Sequence, residues 1–288
     1  MNFKKLIKSG LGFLSSIPTG ISMNEIYSLM NQLYIYPIIG TILGLLIGIG
    51  SMFSYILFPS YLATTITMCL IYYIILFNHL DGIADFGDGI IAHGNVDKKR
   101  KILKDTTLGI GAVGFVFFYL LLLYTSLLSL YLYSNIFFNQ LTIKYFLFFG
   151  IFSNYFPSFP ILFISIVLLQ SEVCAKQSML TISAYGKEFH DGFGSITIKG
   201  AKKNNNYYIG LIYSIFISLV FLGIVGLLCL VVTLYITCNY VLYLSYKNFE
   251  GLNGDGIGCS NEIGRLLYII LILIILKLIQ IGDIYIWM

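Results

Sequence analysis

Between Leu33 and Phe58 there is not one charged side chain, and the same holds from Ile110 to Tyr133, Tyr207 to Leu228 and Val231 to Tyr246. A stretch of about 20 mostly apolar residues is what an α-helix needs to cross the hydrocarbon layer. In that layer every backbone polar group must be satisfied within its own segment, so only helices or closed barrels cross. Runs of this length read as helical spans. Apolar residues make up 58% of the 288 residues and charged residues 10%, with a mean hydropathy of +0.88. Soluble domains are about 25% charged, so a soluble enzyme, a disordered chain and a basic nucleic-acid binder are excluded.

The predicted architecture is an all-α polytopic helical integral membrane protein. Spans are expected at Leu33–Phe58, Tyr61–Asn78, Ile110–Tyr133, Tyr207–Leu228, Val231–Tyr246 and Ile263–Ile281. The region from Phe137 to Ala184, interrupted by Pro157 and Pro160, is read as one bent crossing. That makes about seven spans in a single domain covering 1–288. Residues 3–17, with Lys4, Lys5 and Lys8 on a short apolar segment, read as an N-terminal interfacial amphipathic helix. The five cysteines form no C-x-x-C pair and read as small buried side chains. Lysines and Arg100 concentrate in segments 79–109 and 185–206. The positive-inside bias places those two, and by parity 247–262, on the cytoplasmic side of the cell membrane.

Ten of the thirteen carboxylates stand in these three segments, while Glu25 and Asp283 lie elsewhere and Glu172 sits inside an apolar run. A polar segment needs charge merely for solvation, but the spacing here is more specific. Asp81, Asp85 and Asp88 fall within roughly 60° of one another on a helix. Like charges so close to low dielectric are costly unless a cation neutralises them. Hard oxygen ligands suit Mg²⁺ or Mn²⁺ rather than zinc. Glycines 82, 87 and 89 leave backbone open to a bulky ligand, and Lys98, Lys99, Arg100, Lys101 and Lys104 follow closely. Carboxylate-held Mg²⁺ beside basic residues suits a diphosphate substrate. Gly109, Gly111 and Gly114 form a G-x-G-x-x-G string, but a span follows it and no strand precedes it, so a dinucleotide fold is excluded. The segment from Glu250 to Glu262, with Gly254 and Asp255 among its glycines, reads as another ligand loop. His79, beside Asp81, is the one histidine with a functional neighbour; His93 and His190 are dispersed.

These residues together resemble the cobalamin synthase family (adenosylcobinamide-GDP ribazoletransferases). His79-Leu80-Asp81-Gly82-Ile83-Ala84-Asp85 with Asp88-Gly89 is similar to its H-L-D-G-[LI]-A-D-x-x-D-G signature. Lys104-Asp105-Thr106 with Leu108-Gly109, Gly192-Phe193-Gly194, and Gly251-x-x-Gly254-Asp255 with Glu262 resemble its later elements in the same order. Thr107 replaces a family Arg, Asn253 and Gly256 replace expected Thr positions, and the stretch between Gly109 and Gly192 is longer than usual. The resemblance implies the last assembly step of the corrinoid coenzyme, with Mg²⁺. The 5′-hydroxyl of α-ribazole, or the nucleoside in its 5′-phosphate form, attacks adenosylcobinamide-GDP and GMP leaves. On it, His79, Asp81 and Asp85 are expected to be catalytic, and Asp81, Asp85 and Asp88 to hold the metal. Gly82, Gly89, Arg100, Lys104, Asp105, Gly109, Gly254, Asp255 and Glu262 are expected to bind substrate.

Three alternatives remain at this point. A CDP-alcohol phosphotransferase signature fits Asp85, Asp88, Gly89 and Ala92, but His93 stands at its Arg and its final carboxylates are missing. A prenyltransferase would need a second aspartate-rich motif, and Asp255 stands alone. From another class, a transporter would place isolated charges at mid-span, for which only Glu172, Lys176 and Lys277 are candidates.

Overall fold

The computed structural model describes residues 2–105, 107–144, 159–189 and 192–281. Pro157, His190, Asp191 and Asp283 therefore lie outside the described residues. Every regular element of the described chain is a helix, apart from one isolated parallel bridge between Glu188 and Leu252. In order, the helices are α1 (Phe3–Leu14), α2 (Met23–Met30), α3 (Ile35–Leu57), α4 (Ser60–Ile75), α5 (Asn78–Ile91), α6 (Val96–Ile102) and α7 (Ile110–Lys144). They are followed by α8 (Phe159–Tyr185), α9 (Phe193–Ala201), α10 (Asn206–Phe249) and α11 (Gly254–Ile281).

The expected interfacial helix is α1. Asn2 caps it by accepting from the Lys4 amide at 3.3 Å. It buries Leu6, Gly10 and Leu14 and leaves Lys4, Lys5 and Lys8 exposed.

Helix α8 is the axle of the bundle. Of its apolar window Pro160–Tyr185, 78% is buried, against 28% for Ile110–Asn135 in α7. Its partner α3 approaches through Gly40, Gly44 and Gly48, spaced four apart and so on one face. A Cβ at those positions would sit 2.6 Å from the Glu172 carbonyl oxygen, 2.7 Å from the Leu169 Cα and 2.8 Å from the Ser165 carbonyl oxygen. Without a hydrophobic drive between helices in lipid, such close backbone packing is what holds a pair together. Polar bonds tie α10 to the same axle. Gln170 donates to the Ile217 carbonyl at 2.9 Å, and Ser214 donates to Gln177 at 3.3 Å.

Among the described residues, four helices are long and apolar enough to cross a membrane: Ile35–Leu57, Ile110–Asn135, Pro160–Tyr185 and Asn206–Phe249. There are five if α4 and α5, bent by 94° at their junction, count as one broken span. By length and composition alone the count therefore falls short of the expected seven. Alone, α4 has only 16 residues, and α11 carries Glu262, Arg265 and Lys277. The two spans expected at Tyr207–Leu228 and Val231–Tyr246 join in the 44-residue α10, which breaks at Gly223 with φ 59 and ψ −146. That φ is a left-handed value that glycine adopts without strain. A straight helix of this length would run about 66 Å. Yet Tyr207, at its start, packs edge-on against Tyr185, and Tyr246, near its end, accepts from the Lys187 amide at 3.1 Å. Both ends therefore meet the C-terminus of α8, and α10 doubles back at Gly223. For 137–184, α7 runs on to Lys144 and α8 begins at Phe159, with 145–158 outside the described residues.

A Gly44→Leu substitution drives a side chain into α8 backbone, which cannot swing aside. Overpacking of this kind typically costs about 1–3 kcal/mol. Thermal unfolding in detergent should show a lowered Tm for Gly44→Leu. Gly114→Ala, where a Cβ meets nothing within 4 Å, should leave Tm unchanged or slightly raised.

Candidate active site

The three polar segments meet at one end of the bundle. The Leu252 amide donates to the Lys187 carbonyl at 2.7 Å. Arg100 donates to the Phe249 carbonyl through Nε at 2.9 Å and Nη2 at 2.7 Å, and its guanidinium lies 4.8 Å from the Phe189 ring centroid. Lys99 donates to the Ile90 carbonyl and to Asn248. The basic helix α6 thus closes over the C-terminal carbonyls of α10, where positive charge is favoured by the helix dipole.

Helix α5 carries the aspartate stripe. Turned 94° from α4 and bearing three carboxylates, it reads as lying along the membrane face rather than in the apolar layer. Its inner side rests on the first turns of α11 with backbone nearly touching backbone. A Cβ on Gly82 would lie 2.7 Å from the Asp255 carbonyl oxygen, and one on Gly258 3.5 Å from the His79 Cα. Gly89 lies against the side chains of Phe249 and Leu103. These glycines, expected to face substrate, instead let the helices close together.

That approach brings Asp255 to the aspartate stripe. Asp81 is exposed, and Asp85 and Asp255 are half-buried. Burial first, then the charges of Asp255, Asp81 and Asp88, push the Asp85 carboxyl up to about 7. His79 is buried, and that burial, with Lys176 and Arg265 nearby, holds its imidazole well below the usual histidine range, hence neutral. At the start of α11, Asn253 accepts from the Gly256 amide at 3.1 Å and donates to Asp255 at 2.5 Å. Asn253, at a family Thr position, is thus an N-cap that also orients Asp255. A Cβ on Gly194, in the first turn of α9, would sit 2.5 Å from the Gly254 nitrogen, so two helix N-termini abut. Gly254 itself is exposed, with nothing within 4 Å of where a Cβ would stand. Two N-termini opening on free space favour an anion such as phosphate.

Other expected site residues have different surroundings. Asp88 accepts from the Gly109 amide at 2.7 Å and the Ala112 amide at 2.9 Å, so both of its oxygens cap α7. The glycine string at 109 and 111 is what lets that backbone reach it. Asp105 accepts from the Thr107 amide at 3.1 Å, and Lys104 is exposed. Glu262, expected against substrate, is instead fully buried: it accepts from Tyr119 at 2.6 Å, Tyr72 at 3.1 Å and Asn261 at 2.9 Å, and pairs with Arg265. Arg265 also pairs with Glu172, and Lys176 donates to Asn261 at 2.8 Å.

Sequence reading did not assemble this cluster. The signal available was two opposite-charge pairs at helical spacing inside apolar runs, Glu172 with Lys176 and Glu262 with Arg265. Its charges pair with one another rather than standing isolated along a path, which weakens the transporter alternative.

Among the described residues no three His, Cys, Asp or Glu side chains already converge as a cation cage. The donor chemistry nevertheless fits a hard divalent ion. Asp81, Asp85 and Asp255 are carboxylates on two touching helices, and a cation between them would offset both the burial and the neighbouring charges that push the Asp85 carboxyl up.

Because Asp85 keeps its proton to about 7 when folded and releases it at about 4 when unfolded, its ionisation favours unfolding. Its contribution to stability therefore declines as pH rises from about 4 to about 7. Without divalent cations, Asp85→Asn should melt above the wild type at pH 8, and the difference should vanish near pH 4. Equal melting at both values would show that the Asp85 carboxyl is not raised in the fold.

A family model described as cobalamin-5-phosphate synthase matches residues 6–273. A Methanosarcina barkeri protein named adenosylcobinamide-GDP ribazoletransferase is 41% identical over 283 residues, covering 94% of this chain and 92% of its own length. Proteins of the same name from Methanosarcina mazei and Methanococcoides burtonii are 41% and 35% identical, covering 94% and 97% of this chain and 92% and 96% of their own lengths. No solved structure matches it. With nearly its whole length matched, the chain belongs to the cobalamin-5-phosphate synthase family.

Proposed function

We propose that this protein is an adenosylcobinamide-GDP ribazoletransferase. It joins α-ribazole, or its 5′-phosphate, to adenosylcobinamide-GDP and releases GMP, completing the assembly of cobalamin. The observation that carries the reading is the close contact of α5 and α11 at Gly82 and Gly258, which brings the charge of Asp255 to bear on Asp85, beside two helix N-termini suited to phosphate. The names of the relatives supply the substrate. The matched family is described by a 5-phosphate product. A nucleoside esterified at that position has no free 5′-hydroxyl, so the attacking oxygen is another ribose hydroxyl, a correction to the expectation drawn from the resemblance.

In this reading the hydroxyl attacks the cobinamide-bearing phosphorus. The new P–O bond forms as the P–O–P bridge breaks, and GMP carries away the bridging oxygen. Asp81, Asp85 and Asp255 would hold Mg²⁺, which when bound neutralises charge developing on the diphosphate. Asp88 supports them by fixing the start of α7. His79, neutral and beside Asp81, is placed to accept the hydroxyl proton. The N-termini of α9 and α11, with Lys104 at the rim, bind anionic oxygens. Arg100 acts by closing α6 over the site.

Seven crossings remain our reading of the topology, with α4, α11 and each arm of α10 crossing once alongside α3, α7 and α8. The converging polar segments would then face the cytoplasm at the cell membrane, with lipid around the bundle. Single cysteines at Asn95 and Asn205 should be labelled from the same side, the inner one; labelling from opposite sides would rule the topology out.

GMP release from adenosylcobinamide-GDP, followed against Mg²⁺ concentration, tests the activity. Losing one electrostatic contact at the reacting centre typically costs about 10²–10³ in kcat. Asp81→Asn, Asp85→Asn and Asp255→Asn should each show that loss, partly recovered at high Mg²⁺. Asp88→Asn should be milder in turnover and cost about 1 kcal/mol in stability, as helix caps do. Near-normal turnover in both Asp81→Asn and Asp85→Asn would refute the metal site.

A further inference from the structure

We infer that Glu262 is a positioning residue, the hub that sets where Asp255 stands relative to Asp81 and Asp85, and not a substrate contact. This rests on the function proposed above. Glu262 lies seven residues along α11 from Asp255, about 10 Å up the same helix. It is 1% exposed. Its Oε2 accepts from Tyr72 of α4 and Tyr119 of α7, and Arg265 bridges it to Glu172 of α8. Four helices thus meet at one carboxylate.

Each of the joined helices reaches the acidic end. Tyr72 is on α4, whose junction with α5 leads directly into the Asp81 stripe. Tyr119 is on α7, whose first turn is capped by Asp88 of α5. Glu262 and Asp255 share α11. The touching surface itself, at Gly82 and Gly258, consists of bare backbone. Glycine contacts permit close approach without specifying how far one helix slides along the other. Directional bonds to a single buried carboxylate do specify it.

Buried ion pairs are weak stabilisers compared with well-packed apolar residues. Stability alone therefore does not account for this one, whereas fixing one register does. Charge-assisted bonds in low dielectric are sharply directional, and a shift of about 1 Å at a reacting centre can cost about 10²-fold in rate.

The test separates positioning from binding. In detergent-purified enzyme, Glu262→Gln should lower kcat by about 10², while KM for adenosylcobinamide-GDP stays within about twofold. A KM that rises with kcat unchanged would make Glu262 a substrate contact and overturn the inference. Should Glu262→Gln fail to fold, the Tyr72→Phe/Tyr119→Phe double variant removes two bonds to Glu262 and leaves no charge unpaired. It should show the same split at smaller amplitude, and unchanged kinetics there would overturn the inference as well. Spin labels on Ile91→Cys in α5 and Ile274→Cys in α11, both exposed, with the exposed Cys69 replaced, give a second readout. Their distance distribution should broaden in either variant, and an unchanged one would count against positioning. If the wild type releases no GMP, the proposed function fails alone, and the distance measurement still decides the hub.

Discussion

The arrangement depends on one cluster of opposite charges buried where α4, α7, α8 and α11 meet. Arg265 is held between Glu172 and Glu262, and Lys176 joins through Asn261. In hydrocarbon an unpaired charge is expensive, so such groups pair or face water. Here two acids and two bases compensate one another; Tyr72 and Tyr119 share Oε2 of Glu262 with Arg265, and Asn261 satisfies the remaining oxygen. Helices that would otherwise slide over one another in lipid gain a unique register. The same bonds tie the segments leading to the polar end.

Around that cluster the packing relies on absent side chains. Gly40, Gly44 and Gly48 let α3 settle on α8, and Gly82 and Gly258 do the same for α5 on α11. The second contact has chemical consequences. It holds Asp85 close enough to Asp255 that burial and repulsion raise its carboxyl to about 7. On the function proposed above, a cation held between these carboxylates would relieve that repulsion.

Much of the site was legible in order along the chain. The acids stand where the polar segments interrupt the apolar runs, and the stripe of Asp81, Asp85 and Asp88 follows from helical spacing alone. Roles were less legible. Asp88 looks equivalent to its two neighbours on a helical wheel, yet it faces the amides of Gly109 and Ala112 and is taken up as a cap. Arg100 looks like a phosphate ligand by charge, yet it spends its donors on the Phe249 carbonyl. Glu262 follows a glycine-rich loop in sequence, but one further turn of α11 carries it inside the bundle. In α10 the long apolar stretch hides its reversal, because glycine at 223 is ordinary in a membrane helix until its φ turns positive.

By itself the sequence determined that the chain crosses a membrane as helices, which segments stay polar, and which acids share a helical face. Those properties are local: hydropathy over about 20 residues and a period of 3.6 are sufficient. Only the tertiary structure decided that Asp255 joins Asp85, that Asp88 serves α7, and that Glu262 and Arg265 close a buried cluster with Glu172. Each depends on which helices are neighbours and on their relative register. No spacing along the chain encodes a contact between residues 85 and 255, because it exists only once glycine lets two helices touch and buried charge fixes how they align.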